Sequence, residues 1–134
     1  MTRLAPGHRR TLVLGLSAAL AVAFMAPAQA TPTAEEQKVI ERLIQRVEAK
    51  RTMVFIRNDS EHDATGAVKH MRSKFDHFKD RIVTAEDFIE LCATRSELTG
   101  EPYKVREGKG PVREAGAFMR DELKMVRAEL RKAG

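Results

Sequence analysis

Residues 63–82 read DATGAVKHMRSKFDHFKDRI and decide the fold. A helix turns about 100° per residue, and at that spacing the apolar side chains of this stretch share an arc about 100° wide. They are Ala64, Ala67, Val68, Met71, Phe75, Phe78 and Ile82. Asp63 stands just before them and is a residue type that caps helix N-termini. The stretch therefore predicts an amphipathic helix over about residues 63–81, with one face against a core.

The same periodicity predicts three more helices, over about residues 34–50, 84–96 and 112–131. Thr33 and Thr84 are the expected N-caps of the first two, and Glu36 completes a capping box with Thr33. In the last helix the expected buried stripe begins at Val112.

Two short stretches, 52–56 and 102–106, are typical of strands and can form a small ribbon. Asn58, Gly100 and Pro102 favour turns next to them. The expected fold is a mainly α (α+β) domain of about four helices and two short strands.

The first thirty residues have the pattern of an export signal. Arg3, Arg9 and Arg10 form a positive start, and an apolar stretch follows over 12–25. That stretch is shorter than the roughly 20 residues that span a bilayer. An A-x-A site ends at Ala30, so we expect cleavage there, a mature domain of residues 31–134 with no membrane anchor, and a periplasmic or secreted location. The general secretory route fits the pattern better than the twin-arginine route.

Charge and composition narrow the class of partner. The chain of 134 residues has 24 Lys and Arg against 19 Asp and Glu. Three of the arginines precede residue 31 and no acid does, so the mature part keeps 21 basic residues against 19 acidic ones. This near balance argues against a nucleic-acid partner, which requires a strongly basic folded surface. The single cysteine, Cys92, leaves either a buried thiol or a bridge between two chains.

Histidines are the residues that most resemble metal ligands here. His70 and His77 are two helical turns apart, about 10 Å along the axis, which is too far for one ion to bind both. His62 lies outside the helix. We therefore expect no metal and no cofactor, with metal or haem binding through His62, His70 or His77 as a remaining alternative.

Four stretches of the chain resemble a known family. They are 55–58, 67–74, 81–89 and 96–106, with the sequences FIRN, AVKHMRSK, RIVTAEDFI and SELTGEPYKVR. In order and spacing they are similar to the YfeK-like proteins, small exported bacterial proteins catalogued as a domain of unknown function. Asp59 replaces the glycine usual in that family, His62 stands near its usual aromatic residue, and Phe118 lies where a tryptophan is expected.

The resemblance implies no activity and no catalytic residue. It does mark a set of motif positions: Arg57, Asn58, His70, Lys74, Ser96, Gly100, Tyr103 and Arg106. Arg57, His70, Lys74 and Arg106 are the ones that packing explains least, so we expect them to form a basic patch. The favoured function is non-catalytic binding of an anionic ligand or an envelope protein. A small envelope enzyme acting on a polymer is the alternative.

Overall fold

The computed structural model describes residue 15, residues 17–22 and residues 31–134. Four helices lie in the last range: α1 Ala34–Glu48, α2 Ala64–Phe78, α3 Ala85–Cys92 and α4 Ala115–Ala133. Four strands accompany them: β1 Met53–Arg57, β2 Ser60–His62, β3 Lys104–Glu107 and β4 Arg113–Glu114. A 3-10 turn, Lys79–Arg81, continues α2. The expected mainly helical α+β fold is confirmed.

The strands form one antiparallel sheet in the order β2-β1-β3-β4. Phe55 of β1 lies opposite Val105 of β3, and both are buried. The two strands expected from the sequence therefore pair, but the sheet has four strands rather than two. The two extra strands are only three and two residues long, which is too short to show a periodic pattern.

A tight hairpin joins β1 to β2. Arg57 pairs with Ser60, so only Asn58 and Asp59 lie between the strands. Their φ angles are 47° and 63°, in the left-handed region. Two such residues form the type I′ turn that matches strand twist, and Asn and Asp tolerate this region better than most residues.

One core lies between the helices and one face of the sheet. Helix α1 packs against α2, α3 and α4, and its apolar stripe is fully buried. Helices α2 and α4 in turn cover β1 and β3. The opposite face of the sheet carries no helix among the described residues.

The end of α3 and the start of α4 differ from the expected positions, because contacts with other parts of the chain replace helical residues there. Helix α3 ends at Cys92, because the chain then turns to make a bridge between Arg95 and Pro102. Helix α4 begins at Ala115, and the preceding Val112 is 52% exposed rather than buried. Residues 113–114 pair with β3 instead of extending the helix.

The predicted cleavage site at Ala30 and most of the predicted signal lie outside the described residues. Within the part that the structure describes, no helix is long and apolar enough to cross a membrane.

Candidate functional site

A groove of about 550 Å³ opens where α2, the end of β1 and the loop after α3 meet. The helix presents His70 and Lys74 to it, because residues four apart share a helix face. The strand contributes Arg57, and the loop contributes Ser96, Glu97 and Leu98. The remaining lining residues are Asn58, Ser73, His77, Phe78 and Tyr103. We call this groove the α2 cleft.

Lys74 is buried in the α2 cleft without a carboxylate partner. Its side chain is 8% exposed, and its Nζ donates to the Arg95 carbonyl at 3.0 Å and to the Tyr103 hydroxyl at 3.3 Å. The Nζ atom also lies 5.2 Å from the centre of the Tyr103 ring and 5.8 Å from that of Phe78. Burial lowers the pKa of Lys74, and Glu97 opposes that effect by its charge. An ammonium has three N–H donors, so one is not accounted for by these bonds.

His70 stands next to the lysine in a hydrogen-bonded chain. Its Nε2 lies 3.0 Å from the Tyr103 hydroxyl, which already accepts from Lys74. The Tyr103 hydroxyl therefore links the Lys74 ammonium to the His70 ring. Burial and the neighbouring charges of Arg57 and Lys74 lower the pKa of His70 to about 4. At neutral pH the ring is therefore uncharged.

Arg57 is half-buried and lines the cleft. The ion pairs and side-chain hydrogen bonds found among the described residues do not involve its guanidinium. It lines the cleft together with His70, Lys74 and Tyr103, and its positive charge acts to lower the pKa of each of them. Two cations thus share the cleft, and no carboxylate is paired with either of them within residues 31–134.

The loop after α3 is held rigidly against the β1–β2 turn. Ser96 is buried, and its hydroxyl accepts hydrogen bonds from the Asn58 amide and from the Thr99 backbone. The Thr99 hydroxyl in turn donates to the Asn58 side-chain oxygen at 2.8 Å. Gly100, with φ of 72°, closes the loop by donating to the Ser96 carbonyl. The loop holds Leu98 at the cleft with 95% of its surface exposed.

The structure places Arg106 away from the other three predicted patch residues. Arg106 lies opposite Val54, one position from the buried Val105, so it faces away from the helices. Arg57 has the same parity as the buried Phe55 and faces the helices. The Arg106 guanidinium pairs with Glu61 at 2.6 Å on the outer face of the sheet. The cleft therefore unites Arg57, His70 and Lys74 without Arg106.

A smaller, mostly apolar cavity of about 40 Å³ shares Arg57, His70 and Tyr103 with the lining of the cleft. His62 and Cys92 line it, and the His62 Nε2 atom is buried with no hydrogen-bond partner in the described part of the chain. Cys92 is free and fully buried, and burial raises the pKa of its thiol to about 12. His77 instead stacks edge-on against Phe78. Across residues 31–134, no three His, Cys, Asp or Glu side chains group as metal ligands.

Chemically, the α2 cleft supplies hydrogen-bond donors and positive charge. The Ser96 hydroxyl is occupied by the loop, and His70 is directed to Tyr103, so the two are not paired as nucleophile and base. The resemblance marks Ser96 as a motif position, but the sequence did not indicate that Glu97 and Leu98 line the cleft. Only the three-dimensional course of the loop brings them to the helix, and no periodic signal marks such a loop.

The fold and the cleft together define a small α+β protein with a positively charged groove. Residues 34–127 match the model described as "Family of unknown function (DUF5329)", and the chain belongs to this family. It is also 36% identical over 86 residues to "Uncharacterized protein YfeK" of Salmonella typhimurium, a match that spans 64% of this chain and 72% of the relative. No solved structure matches the chain. The resemblance to YfeK-like proteins is confirmed.

Proposed function

We propose that this protein is exported and acts in the periplasm as a non-catalytic binding module. The ligand is an anion, free or on a partner, and it binds in the α2 cleft. Arg57, His70 and Lys74 carry the interaction. Arg106, which the sequence grouped with them, is left out because it faces the other side of the sheet.

The observation that carries this proposal is a pair of cations without a carboxylate partner. Lys74 is 8% exposed, whereas the equally buried Glu122 is paired with Arg46 at 2.7 Å and Lys50 at 3.3 Å. Removing a charge from water is unfavourable unless an opposite charge compensates it. An anion between Arg57 and Lys74 would provide that compensation and would use the lysine donor that remains.

Export is supported by the sequence pattern of residues 1–30, in which a basic start and an apolar stretch precede an A-x-A site. The test is the intact mass of the protein recovered from the periplasmic fraction of the producing cells. We expect a chain that begins at Thr31. A full-length mass in that fraction, or protein found only in the cytoplasm, would contradict this part of the proposal.

The binding proposal is tested by titrating the purified protein with inorganic phosphate, acetate and a soluble cell-wall peptide, followed by the NMR signals of the His70 ring. We expect at least one of these anions to shift the signals saturably. Arg57→Ala should weaken that binding by about tenfold or more, because the guanidinium supplies paired charged donors. Arg72→Ala is the matched control: Arg72 lies on α2, as His70 and Lys74 do, but it does not line the cleft and is paired with Glu41 at 2.6 Å.

The Arg106→Ala variant distinguishes two possible binding sites: the α2 cleft, and the four-residue patch, including Arg106, that is expected from the sequence. Affinity similar to that of the unaltered protein supports the cleft. A loss as large as that of Arg57→Ala would mean that binding occurs at the sheet face or across its edge. Absence of binding by every anion, with a correctly folded protein, would overturn the proposed function.

A further inference from the structure

The donors in the α2 cleft suit one small planar anion. A guanidinium presents parallel N–H groups that match the two oxygens of a carboxylate. Lys74 uses two of its three donors on Arg95 and Tyr103, which leaves one N–H for a ligand. The paired N–H groups of Arg57 and the remaining N–H of Lys74 are enough to bind the two oxygens of a carboxylate. They leave other oxygens of a tetrahedral phosphate without hydrogen-bond donors.

The charge in the cleft also favours a single negative charge. Arg57 and Lys74 are positive, Glu97 lines the same groove, and its charge acts on both Lys74 and Tyr103. His70 adds no charge at neutral pH. The cleft is therefore positive by about one charge. A ligand with two negative charges would face Glu97 without a further cation to balance the second charge.

An apolar surface stands next to these charges. Leu98 is 95% exposed and lines the groove, and the ring of Phe78 forms part of the groove wall. The bonds among Ser96, Thr99 and Asn58 hold the loop that carries Leu98 against the β1–β2 turn, at the edge of the cleft. Burying an apolar side chain against it would add affinity, since removal of apolar surface from water is favourable.

We propose that the α2 cleft recognises the free carboxyl end of a peptide whose last residue is apolar. The terminal carboxylate lies between Arg57 and Lys74, and the terminal side chain contacts Leu98 and Phe78. This inference rests on the proposed function and names the ligand class of the same site.

The experiment compares matched probes by calorimetric titration of the purified protein. The probes are N-acetyl-Gly-Leu with a free carboxyl group, the same dipeptide as its C-terminal amide, N-acetyl-Gly-Gly with a free carboxyl group, and inorganic phosphate. We expect the free leucine acid to bind at least tenfold more tightly than the amide or phosphate. We expect the glycine acid to bind severalfold more weakly than the leucine acid.

Two variants connect these differences to named residues. Leu98→Ser should weaken the binding of the leucine acid severalfold and that of the glycine acid much less, so that the preference for leucine over glycine is lost. Glu97→Gln should raise the affinity for phosphate more than that for the leucine acid. Both residues are exposed on the loop, so both variants should fold, and thermal unfolding confirms that.

The outcomes separate this inference from the proposed function. If phosphate binds more tightly than the leucine acid and Arg57→Ala abolishes its binding, the cleft binds anions but the peptide inference is wrong. If acid and amide bind equally, the carboxylate is not recognised and the inference is also wrong. If no probe or other anion binds, both proposals fall.

Discussion

Two lysines on the same helix show how burial decides the role of a residue. Lys69 is exposed, whereas Lys74, five residues later, is 8% exposed with its charge directed at a carbonyl and a phenol. The two have the same chemistry in an unfolded chain. Removing the charged Lys74 side chain from water is unfavourable, and for this reason we expect a negatively charged ligand to bind next to it.

The lowered pKa of the single residue His70 predicts that the stability of the protein depends on pH. Its pKa is about 4 in the folded protein, against about 6.5 in an unfolded chain. Between these values the unfolded state binds more protons, so stability falls as the pH is lowered from about 6.5 to about 4. We expect a loss of about 1 to 2 kcal/mol, a figure reduced from the full shift because solvent reaches part of the ring.

The control for this pH effect is His70→Gln, which has no titrating group at this position. Arg57, Lys74 and His62 face the ring and are present in both proteins. Urea unfolding at several pH values between 4.5 and 6.5 measures the difference. This range avoids most of the titration of the carboxylates whose pKa values are lowered. Identical pH profiles for the two proteins would contradict the prediction.

At the turn residue Asp59, we expect two substitutions to change the stability of the protein in opposite directions. Its φ of 63° suits glycine, whereas a side chain that cannot bond locally is strained there. Asp59→Gly should stabilise the protein by about 0.5 kcal/mol, and Asp59→Ala should destabilise it by about 1 kcal/mol. Thermal unfolding measures both. Equal effects of the two substitutions would show that the backbone angle does not govern this site.

At the scale of elements, helix caps account for where the chain changes direction. Asp63 caps α2 by accepting from the Gly66 backbone at 2.8 Å. Thr84 and Asp87 form a complete capping box on α3, in which each side chain accepts from the other's backbone. At α1 only half of the expected box exists: Thr33 accepts from the Glu36 backbone, but the Glu36 carboxylate points elsewhere.

The caps predict unequal effects of two identical substitutions. Thr84→Ala should cost about 1 kcal/mol, because α3 has eight residues and depends on its reciprocal cap. Thr33→Ala should cost about half as much. Helix α1 has fifteen residues, and its full apolar stripe is already held in the core. Chemical denaturation of both variants tests the order, and a larger loss at Thr33 would contradict it.

At the scale of the whole molecule, Glu36 joins three helices. Its carboxylate accepts from the Ala85 backbone of α3 at 2.7 Å and from Arg127 of α4 at 2.9 Å and 3.2 Å. The hydrogen bond from Arg127 is the largest cause that lowers the pKa of Glu36. This carboxylate therefore fixes the N-terminus of α3 between the first and last helices.

Glu36→Ala should accordingly destabilise the protein by about 2 kcal/mol, because it leaves the Ala85 N–H without its acceptor and leaves the half-buried Arg127 with only the exposed Glu86 as a partner. Glu129→Ala is the matched control. Glu129 also pairs an arginine between α1 and α4, at 2.9 Å, but both side chains are more than 40% exposed. Its loss should cost much less than the loss of Glu36, because solvent screens an exposed ion pair. Similar losses for the two variants, measured by urea unfolding, would refute the special role of Glu36.

Much of the fold could be predicted because its signals are local. The period of the apolar residues in α2 and the caps at Asp63 and Thr84 lie within a few residues of what they specify. The sequence does not predict strand β2, because Asn58 indicates a turn that ends a strand, whereas Asn58 and Asp59 form the middle of a hairpin. For the site, the resemblance to the family indicated Arg57, His70 and Lys74 as binding residues. It also grouped Arg106 with them, since similarity of sequence carries no information about which face of the sheet a residue occupies.

The sequence by itself determined that there are four helices and most of their buried residues, because helical period and capping act between residues at most four apart. Its motifs also determined the family. Only the tertiary structure decided that Glu36 bonds to Ala85 and Arg127, that Lys74 is buried without a carboxylate, and that Arg57 and Arg106 lie on opposite faces. These facts depend on strand register and on which elements pack together. Register and packing are set by contacts between residues tens of positions apart, and such contacts leave no local pattern in the chain.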